Sequence, residues 1–376
     1  MRDVVLFRHQ LFKVSETFIT QQGAALGTFS PIYLGRKRYS RHGDKFRSLA
    51  LEDIPRQRSL HNKIWQVTTR DARPYVELLR NYSPALIHAH FGVEGVYGLP
   101  LARALDVPLI TTFHGFDATT SRKSLLASGS PAWINYLIHR QDLARSGELF
   151  ICVSEFIQQQ VLKLGFPETR TRVHYIGVDT TAIRPSSVAS ERPVILHVAR
   201  LVEKKGTGDL LDAFALVRRK YPVAELQIVG EGPLEHSLRA KAESLGLGDH
   251  VHFLGARRHE DVLTLMRKAW VFCLPSITAK SGDAEGLGMV LLEAAACGVP
   301  SVATRHGGIP EAVIHGVTGL LQGEHDIAGL AGNLNELLGD AGLRSQMGGA
   351  ARRHAVEKFD LAKQSSLLAD IYRKLL

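Results

Sequence analysis

The chain has 376 residues, 45% of them hydrophobic and 22% charged, with a net charge of +9; that is room for two globular domains and excludes a disordered or low-complexity protein. Its three cysteines, Cys152, Cys273 and Cys297, are far apart and lack C-x-x-C spacing, which argues against a disulfide framework or a thiolate zinc site and suits a reducing cytoplasm. The most apolar region, Leu287 to Val302, carries Glu293, and Arg8 breaks the first apolar run, so neither a transmembrane helix nor a signal peptide is expected.

In chain order, short β-rich runs occur at Asp3–Phe7, Pro31–Leu34, Ala85–Ala89, Val107–Phe113, Glu148–Val153 and Arg172–Ile176. A second series follows at Pro193–Ala199, Ala224–Val229, His250–Leu254, Trp270–Leu274, Pro300–Ala303 and, weakly, Thr318–Leu321. Runs such as VILHV and LFICV are apolar throughout instead of alternating, as parallel strands covered on both faces must be. Helical periodicity fills the gaps, for example over Asp209–Lys220 and Pro233–Ser244. Strand–helix alternation occurring twice predicts two doubly wound α/β domains. The polar, Pro-flanked stretch Ile183–Pro193 predicts the boundary, giving domains 1–185 and 186–358. The final segment, Phe359–Leu376, reads as an amphipathic helix expected at the interdomain seam. Two facing sheets would put a ligand crevice between the domains, outside the strands' carboxyl ends.

The positive charge is uneven. Residues 1–185 hold 24 Lys and Arg against 15 Asp and Glu, whereas the rest is balanced at 22 each. The densest cluster is Arg36, Lys37, Arg38, Arg41, Lys45 and Arg47. Beyond a solvated loop, it suggests contact with an anionic membrane surface, to which each basic group adds about 1 kcal/mol. A nucleic-acid patch lacks the interleaved aromatics it would need.

The strongest chemical signal is Glu285-Gly-Leu-Gly-Met-Val-Leu-Leu-Glu293. Gly286 and Gly288 let the backbone approach a ligand, and a helix over Met289–Cys297 would offer its positive N-terminal end to an anion. Eight helical residues span roughly 12 Å, whereas paired glycosidase carboxylates need about 5–5.5 Å or about 6.5–9.5 Å. The two glutamates therefore suit opposite ends of one long ligand. The second signal is Arg200-Leu-Val-Glu-Lys204-Lys205-Gly206, cations in the turn after a strand, where a diphosphate would be held. His88, His90 and His114 could be metal ligands, but polar pocket or core histidines explain them with fewer requirements. Gly230-Glu-Gly-Pro resembles a dinucleotide fingerprint without its third glycine.

The E-x7-E element, with Arg200 and Lys205, resembles glycosyltransferase family 4, retaining enzymes of the two-domain GT-B fold. Further matches are Ser15-Glu16-Thr17-Phe18-Ile19, His88-Ala-His90-Phe91-Gly92, Thr112-Phe113-His114-Gly115-Phe116-Asp117, Val153-Ser154-Glu155, Gly230-Glu231-Gly232-Pro233 and Arg305-His306-Gly-Gly-Ile-Pro310-Glu311. The SETFI opening is similar to the branch that builds bacterial exopolysaccharides such as colanic acid and amylovoran. The resemblance implies a hexosyltransferase acting in exopolysaccharide or lipopolysaccharide synthesis, with a UDP- or GDP-sugar donor and no metal requirement.

It also implies residue roles. Glu293 would hold the donor ribose; Glu285, with the backbone of Gly286, Leu287, Gly288 and Met289, would hold the transferred sugar. Arg200 and Lys205 would neutralise the departing diphosphate, so that replacing either by Ala is expected to lower turnover without unfolding the protein. Gly230, Gly232, Gly255, Ala256 and Arg257 would line the nucleobase side. His114 would stand near the reaction centre, while Ser15 and Glu16 would approach the phosphates or the acceptor. The implied acceptor is a polyprenyl-diphosphate-linked glycan, which places the protein in the cytoplasm, peripheral on the inner face of the plasma membrane. A nucleotide-sugar epimerase and a non-catalytic sugar-nucleotide-binding protein are the two alternatives.

Overall fold

The computed structural model describes residues 1–39, 45–186 and 190–376. All twelve runs expected as strands are strands. In the first sheet these are β1 (Arg2–Phe7), β2 (Phe29–Gly35), β4 (Leu86–His90), β5 (Leu109–Phe113), β6 (Leu149–Cys152) and β7 (Thr171–Val173), joined by β3 (Ser48–Ala50). The sequence did not signal β3, a three-residue edge strand too short to show a period. The second sheet comprises β8 (Val194–Val198), β9 (Glu225–Val229), β10 (Val251–Phe253), β11 (Val271–Leu274), β12 (Ser301–Thr304) and β13 (Gly319–Gln322).

Both sheets are parallel, in the orders β3-β2-β1-β4-β5-β6-β7 and β10-β9-β8-β11-β12-β13. Each reverses direction after its first strand, at β1/β4 and β8/β11, the topological switch points where doubly wound sheets bind ligands. Helices cover both faces of the second sheet's strands, which explains why β11, VFCL, is buried at every position. His197 interrupts the apolar β8 run without cost, because Nδ1 meets the Cys273 carbonyl at 2.8 Å and Nε2 the Thr207 hydroxyl at 3.0 Å.

The chain divides into unit 1, Met1–Gly177 with Leu361–Leu376, and unit 2, Val178–Asp360. The division thus precedes the polar stretch expected to mark it, of which residues 187–189 lie outside the described set. Residues 178–186 belong to unit 2 because that unit captures their backbone: Arg352 donates to the carbonyls of Thr180 (2.6 Å) and Ile183 (2.7 Å), and Val178 bridges to Asp360. The last helix, Leu361–Leu375, inserts Leu368, Ala369 and Tyr372 into the first unit's core beside Val4, Phe29, Leu86, Ile110 and Ile151.

Candidate active site

In unit 2 the loops after β8 and β11, at the switch point, carry most of the expected donor residues. Gly206 (φ +63°) brings the two backbones together; a Cβ there would lie 1.8 Å from the Pro275 carbonyl oxygen. The Ile277 N–H donates to the Lys204 carbonyl at 2.8 Å. This crossing aims Lys205 from one loop at Glu285 on the other, and the two form a salt bridge. Lys204 pairs in the same way with Asp283 at 3.0 Å.

Glu285 is held on both sides. Its N–H donates to His306 Nε2 (3.1 Å), and its carbonyl accepts from the Gly308 N–H (3.0 Å). His306 in turn donates from Nδ1 to Glu324 at 2.8 Å, and Glu324 also accepts the Thr278 N–H at 2.6 Å. The chain His306–Glu324 fixes the imidazole tautomer so that Nε2 can accept. Burial alone would raise the Glu285 pKa, but Lys205 and Lys204 overcome it and hold the carboxyl at about 2. The sign follows: the pair stabilises the fold above the ordinary carboxyl value of 4.5, and this contribution is lost as pH falls toward 2. Glu285→Gln is therefore expected to unfold in urea with a deficit of roughly 3 kcal/mol against wild type at pH 7. That deficit should shrink steadily below pH 4.5. A deficit unchanged down to pH 2 would show that the pair is not ionic in the folded state.

Helix Met289–Ala296 starts at Gly288, whose φ of +83° only glycine takes easily; the Leu291 N–H bonds the Gly288 carbonyl at 2.8 Å, and the N–H groups of Met289 and Val290 precede the first intrahelical bond. Glu293, on its second turn, accepts a hydrogen bond from His259 Nε2 at 2.9 Å; that carboxylate in turn raises the His259 pKa. The turns after β8, β9 and β10 are stitched together. The Leu201 N–H donates to the Glu231 carbonyl (3.0 Å), the Gly230 N–H to the Gly255 carbonyl (2.9 Å), and the Ala256 N–H to the Glu231 carboxylate (3.2 Å). A side chain at Gly230 or Gly232 would strike the carbonyls of Ala199 or Leu201 at 1.9 and 2.4 Å. Gly232 and Gly255 are partly open, Ala256 and Arg257 exposed, and Gly286 and Leu287 buried. Arg200 is exposed and makes no ion pair among the described residues. Unit 2 thus brings Arg200, Lys205, Gly230, Gly232, Gly255, Ala256, Arg257, Glu285 to Met289 and Glu293 to one edge of its sheet.

In unit 1, His114 follows β5. Its Nε2 and His90 Nδ1 share a 3.1 Å hydrogen bond, and Phe91 and Phe18 flank its ring at 4.4 and 5.0 Å. Burial, with neighbouring His88 and Arg8, lowers its pKa well below the ordinary value, so it is a neutral hydrogen-bonding group at neutral pH. Asp117 shapes the turn by accepting from the N–H groups of Gly92, His114 and Gly115 at 2.8, 3.1 and 2.9 Å. Both ring nitrogens of His88 are occupied, by Tyr372 (2.5 Å) and Thr112 (2.6 Å), which leaves no lone pair for a metal. Ser15 is exposed, whereas Glu16 is committed to Arg8 through two 2.8 Å hydrogen bonds.

Arg8, which in the sequence only breaks an apolar run, is buried. It lies 4.3 Å over the Phe91 ring and also pairs with Glu94, which stays ionised (pKa about 2) because Arg8 and His9 outweigh its desolvation. Arg8 stands one residue after β1, at the first sheet's own switch point, and that position was the available signal. Missed too were His259, Glu324 and the supporting role of His306.

Two arginines of the basic cluster are paired within the fold. Arg38 is bidentate to Asp53 (2.7 and 2.9 Å), and Arg47 pairs with Asp3 at 2.8 Å. Arg41 lies outside the described residues.

Comparison with known proteins gives two family matches: "Glycosyltransferase Family 4" over residues 28–182 and "Glycosyl transferases group 1" over residues 179–354. The protein named for colanic acid biosynthesis, WcaL, of Salmonella typhimurium is 34% identical over 303 residues, 79% of this chain and 67% of its own length. The amylovoran biosynthesis glycosyltransferase AmsK of Erwinia amylovora is 33% identical over 255 residues, 66% of this chain and 60% of its own length. The matched stretches thus span about three fifths to two thirds of these relatives. Among solved structures, Anabaena HepE in complex with UDP and glucose superposes over 100% of both chains with a TM-score of 0.80 at 21% identity. Identity this low speaks for the fold alone, the GT-B fold with its two Rossmann-like units. From the two family matches and the WcaL relationship, the chain belongs to glycosyltransferase family 4.

Proposed function

We propose that the chain is a retaining hexosyltransferase that takes a sugar from a UDP- or GDP-sugar and passes it to a polyprenyl-diphosphate-linked glycan in exopolysaccharide or lipopolysaccharide synthesis, without a metal. The observation that carries this reading is the cationic edge of unit 2, where an exposed Arg200 with no ion pair among the described residues follows β8 and Lys205 is already oriented by Glu285. A departing nucleoside diphosphate gains negative charge, and fixed cations beside it stabilise the transition state more than the ground state. The first N–H groups of helix Met289–Ala296 would add to that field. Glu293 would bind the ribose, and Glu285 the sugar hydroxyls once Lys205 turns to the phosphates. The acceptor hydroxyl would then attack the anomeric carbon from the face the diphosphate leaves, passing its proton to the departing phosphate oxygen, which preserves the anomeric configuration. The names of WcaL and AmsK support the pathway class, and HepE, solved with UDP and glucose, supports the donor class.

A cytoplasmic site at the inner membrane face is part of the proposal. Three buried free thiols suit a reducing compartment, and no helix of the described residues is long and apolar enough to cross a membrane. Lys37, Lys45 and Lys63 make no ion pairs among the described residues, and Leu60, Ile64 and Trp65 stand exposed on helix Leu60–Thr69. Together they fit an anionic lipid surface.

The test is incubation with a panel of nucleotide sugars, with and without lipid-linked acceptor and anionic vesicles. Acceptor-dependent nucleotide release and an α-linked product from an α-donor are expected. An isomerised nucleotide sugar would replace the reading with epimerisation; binding without turnover would reduce it to a receptor. A β-linked product would remove retention.

A further inference from the structure

Unit 1 contains a cavity of about 770 Å³ that none of the site residues above lines. It opens at the carboxyl ends of β2 and β3, the sheet edge where doubly wound folds bind ligands. Its walls include Arg36 and Lys37 after β2, Glu52 and Asp53 after β3, and Lys63 and Gln66 from helix Leu60–Thr69. The volume lies within the range of small-molecule sites, roughly 300–1,000 Å³.

Two features separate this cavity from a solvated groove. Gln66 is only 2% exposed, yet neither its amide nitrogen nor its oxygen has a hydrogen-bond partner among the described residues. Arg36, half-buried, lies 4.6 Å over the Tyr97 ring, and its Nε and Nη2 are buried near the Tyr75 hydroxyl without a well-formed hydrogen bond among the described residues. Buried polar groups are almost always paired, so a buried carboxamide beside a guanidinium with two poorly paired buried nitrogens at one cavity points to a missing ligand. The charge balance indicates its sign. Both acids in the wall are occupied by Arg38, which binds Asp53 through its guanidinium and Glu52 through its N–H. Arg36, Lys37 and Lys63 have no carboxylate partner among the described residues. Proximity to Arg36 also helps to hold neighbouring His9 neutral, with a pKa of about 4 set mainly by burial.

We propose that this cavity is a second anion site, separate from the donor's diphosphate site, that binds a sugar phosphate. Arg36, with Lys37 and Lys63, takes the phosphate, and the Gln66 carboxamide takes sugar hydroxyls as both donor and acceptor. Assigning the ligand as the phosphate-linked end of the acceptor rests on the transferase reading; the site itself does not.

The test is titration calorimetry on the full chain with glucose, inorganic phosphate, glucose 1-phosphate and farnesyl-diphosphoglucose, with UDP as a control for the donor site. Saturable binding of at least one of the two phosphorylated sugars is expected, weakened roughly tenfold or more in Arg36→Met and in Lys63→Glu. UDP affinity should be unchanged in both. Gln66→Leu should lose the same ligand yet melt about 2–4 °C higher than wild type without ligand, because it removes an unsatisfied buried amide. Preference for farnesyl-diphosphoglucose would identify the acceptor, and preference for glucose 1-phosphate a free metabolite; either supports the site. Inorganic phosphate binding as tightly as both sugars, or variants that bind like wild type, would overturn it. Absence of UDP binding with the sugar phosphate still bound would instead fault the transferase reading.

Discussion

Arg200→Ala should lower acceptor-dependent nucleotide release by at least tenfold, and up to about a thousandfold, with the melting temperature within about 1 °C of wild type. The side chain is exposed, makes no ion pair among the described residues and supports no neighbour, so truncation removes only what it does to the ligand. A donor fixed next to a developing oxyanion contributes about 3–4 kcal/mol to the transition state. Lys205→Ala should reduce turnover to a similar degree, and here the variant should stay folded but lose stability as well. Glu285 is only 12% exposed, and losing Lys205 leaves it largely unpaired apart from the more distant Lys204. A cost of roughly 3 kcal/mol to stability is expected from a broken, mostly buried pair. Steady-state kinetics alongside thermal melts would separate the two variants. Wild-type turnover in Arg200→Ala would refute its role at the leaving group outright.

What could be read from the sequence was local. Apolar runs such as VILHV marked the strands, since parallel strands buried on both faces need no period, and the E-x7-E spacing marked the helix that begins at Gly288. Pairings across long separations left no such trace. Arg8 meets Glu94 across 86 positions, and His306 supports the Glu285 backbone across 21 while Glu324 orients it from a different strand end. Composition is silent on pairing for the same reason. Arg38 and Arg47 inflate a basic cluster that the fold partly neutralises with Asp53 and Asp3, acids brought close only by strand pairing. The final helix was recognisable from its apolar face, but which sheet that face covers depends on Tyr372 finding His88 and Phe29, a tertiary fact.

Gly206→Ala should cause the largest combined loss of stability and activity. The residue sits at φ +63°, where a side chain costs roughly 1–2 kcal/mol, and the new Cβ would lie 1.8 Å from the Pro275 carbonyl oxygen. Backbone cannot yield as a flexible side chain can, so the loops after β8 and β11 must part, adding about 1–3 kcal/mol of overpacking. The total of roughly 2–5 kcal/mol corresponds to a melting shift of about 5–15 °C for a unit of this size. The parted loops carry Lys205 and Ser276, both next to the Glu285 carboxylate, so kcat should fall beyond what instability explains, even at a temperature where the variant remains folded. Gly246→Ala supplies the control: its φ is +69°, but nothing lies within 4 Å of the added Cβ, so it suffers the strain without the clash. Melting curves and kcat for the two variants side by side would decide. If Gly206→Ala behaved like Gly246→Ala in both, the close crossing of the two loops would not be what holds Lys205 against Glu285.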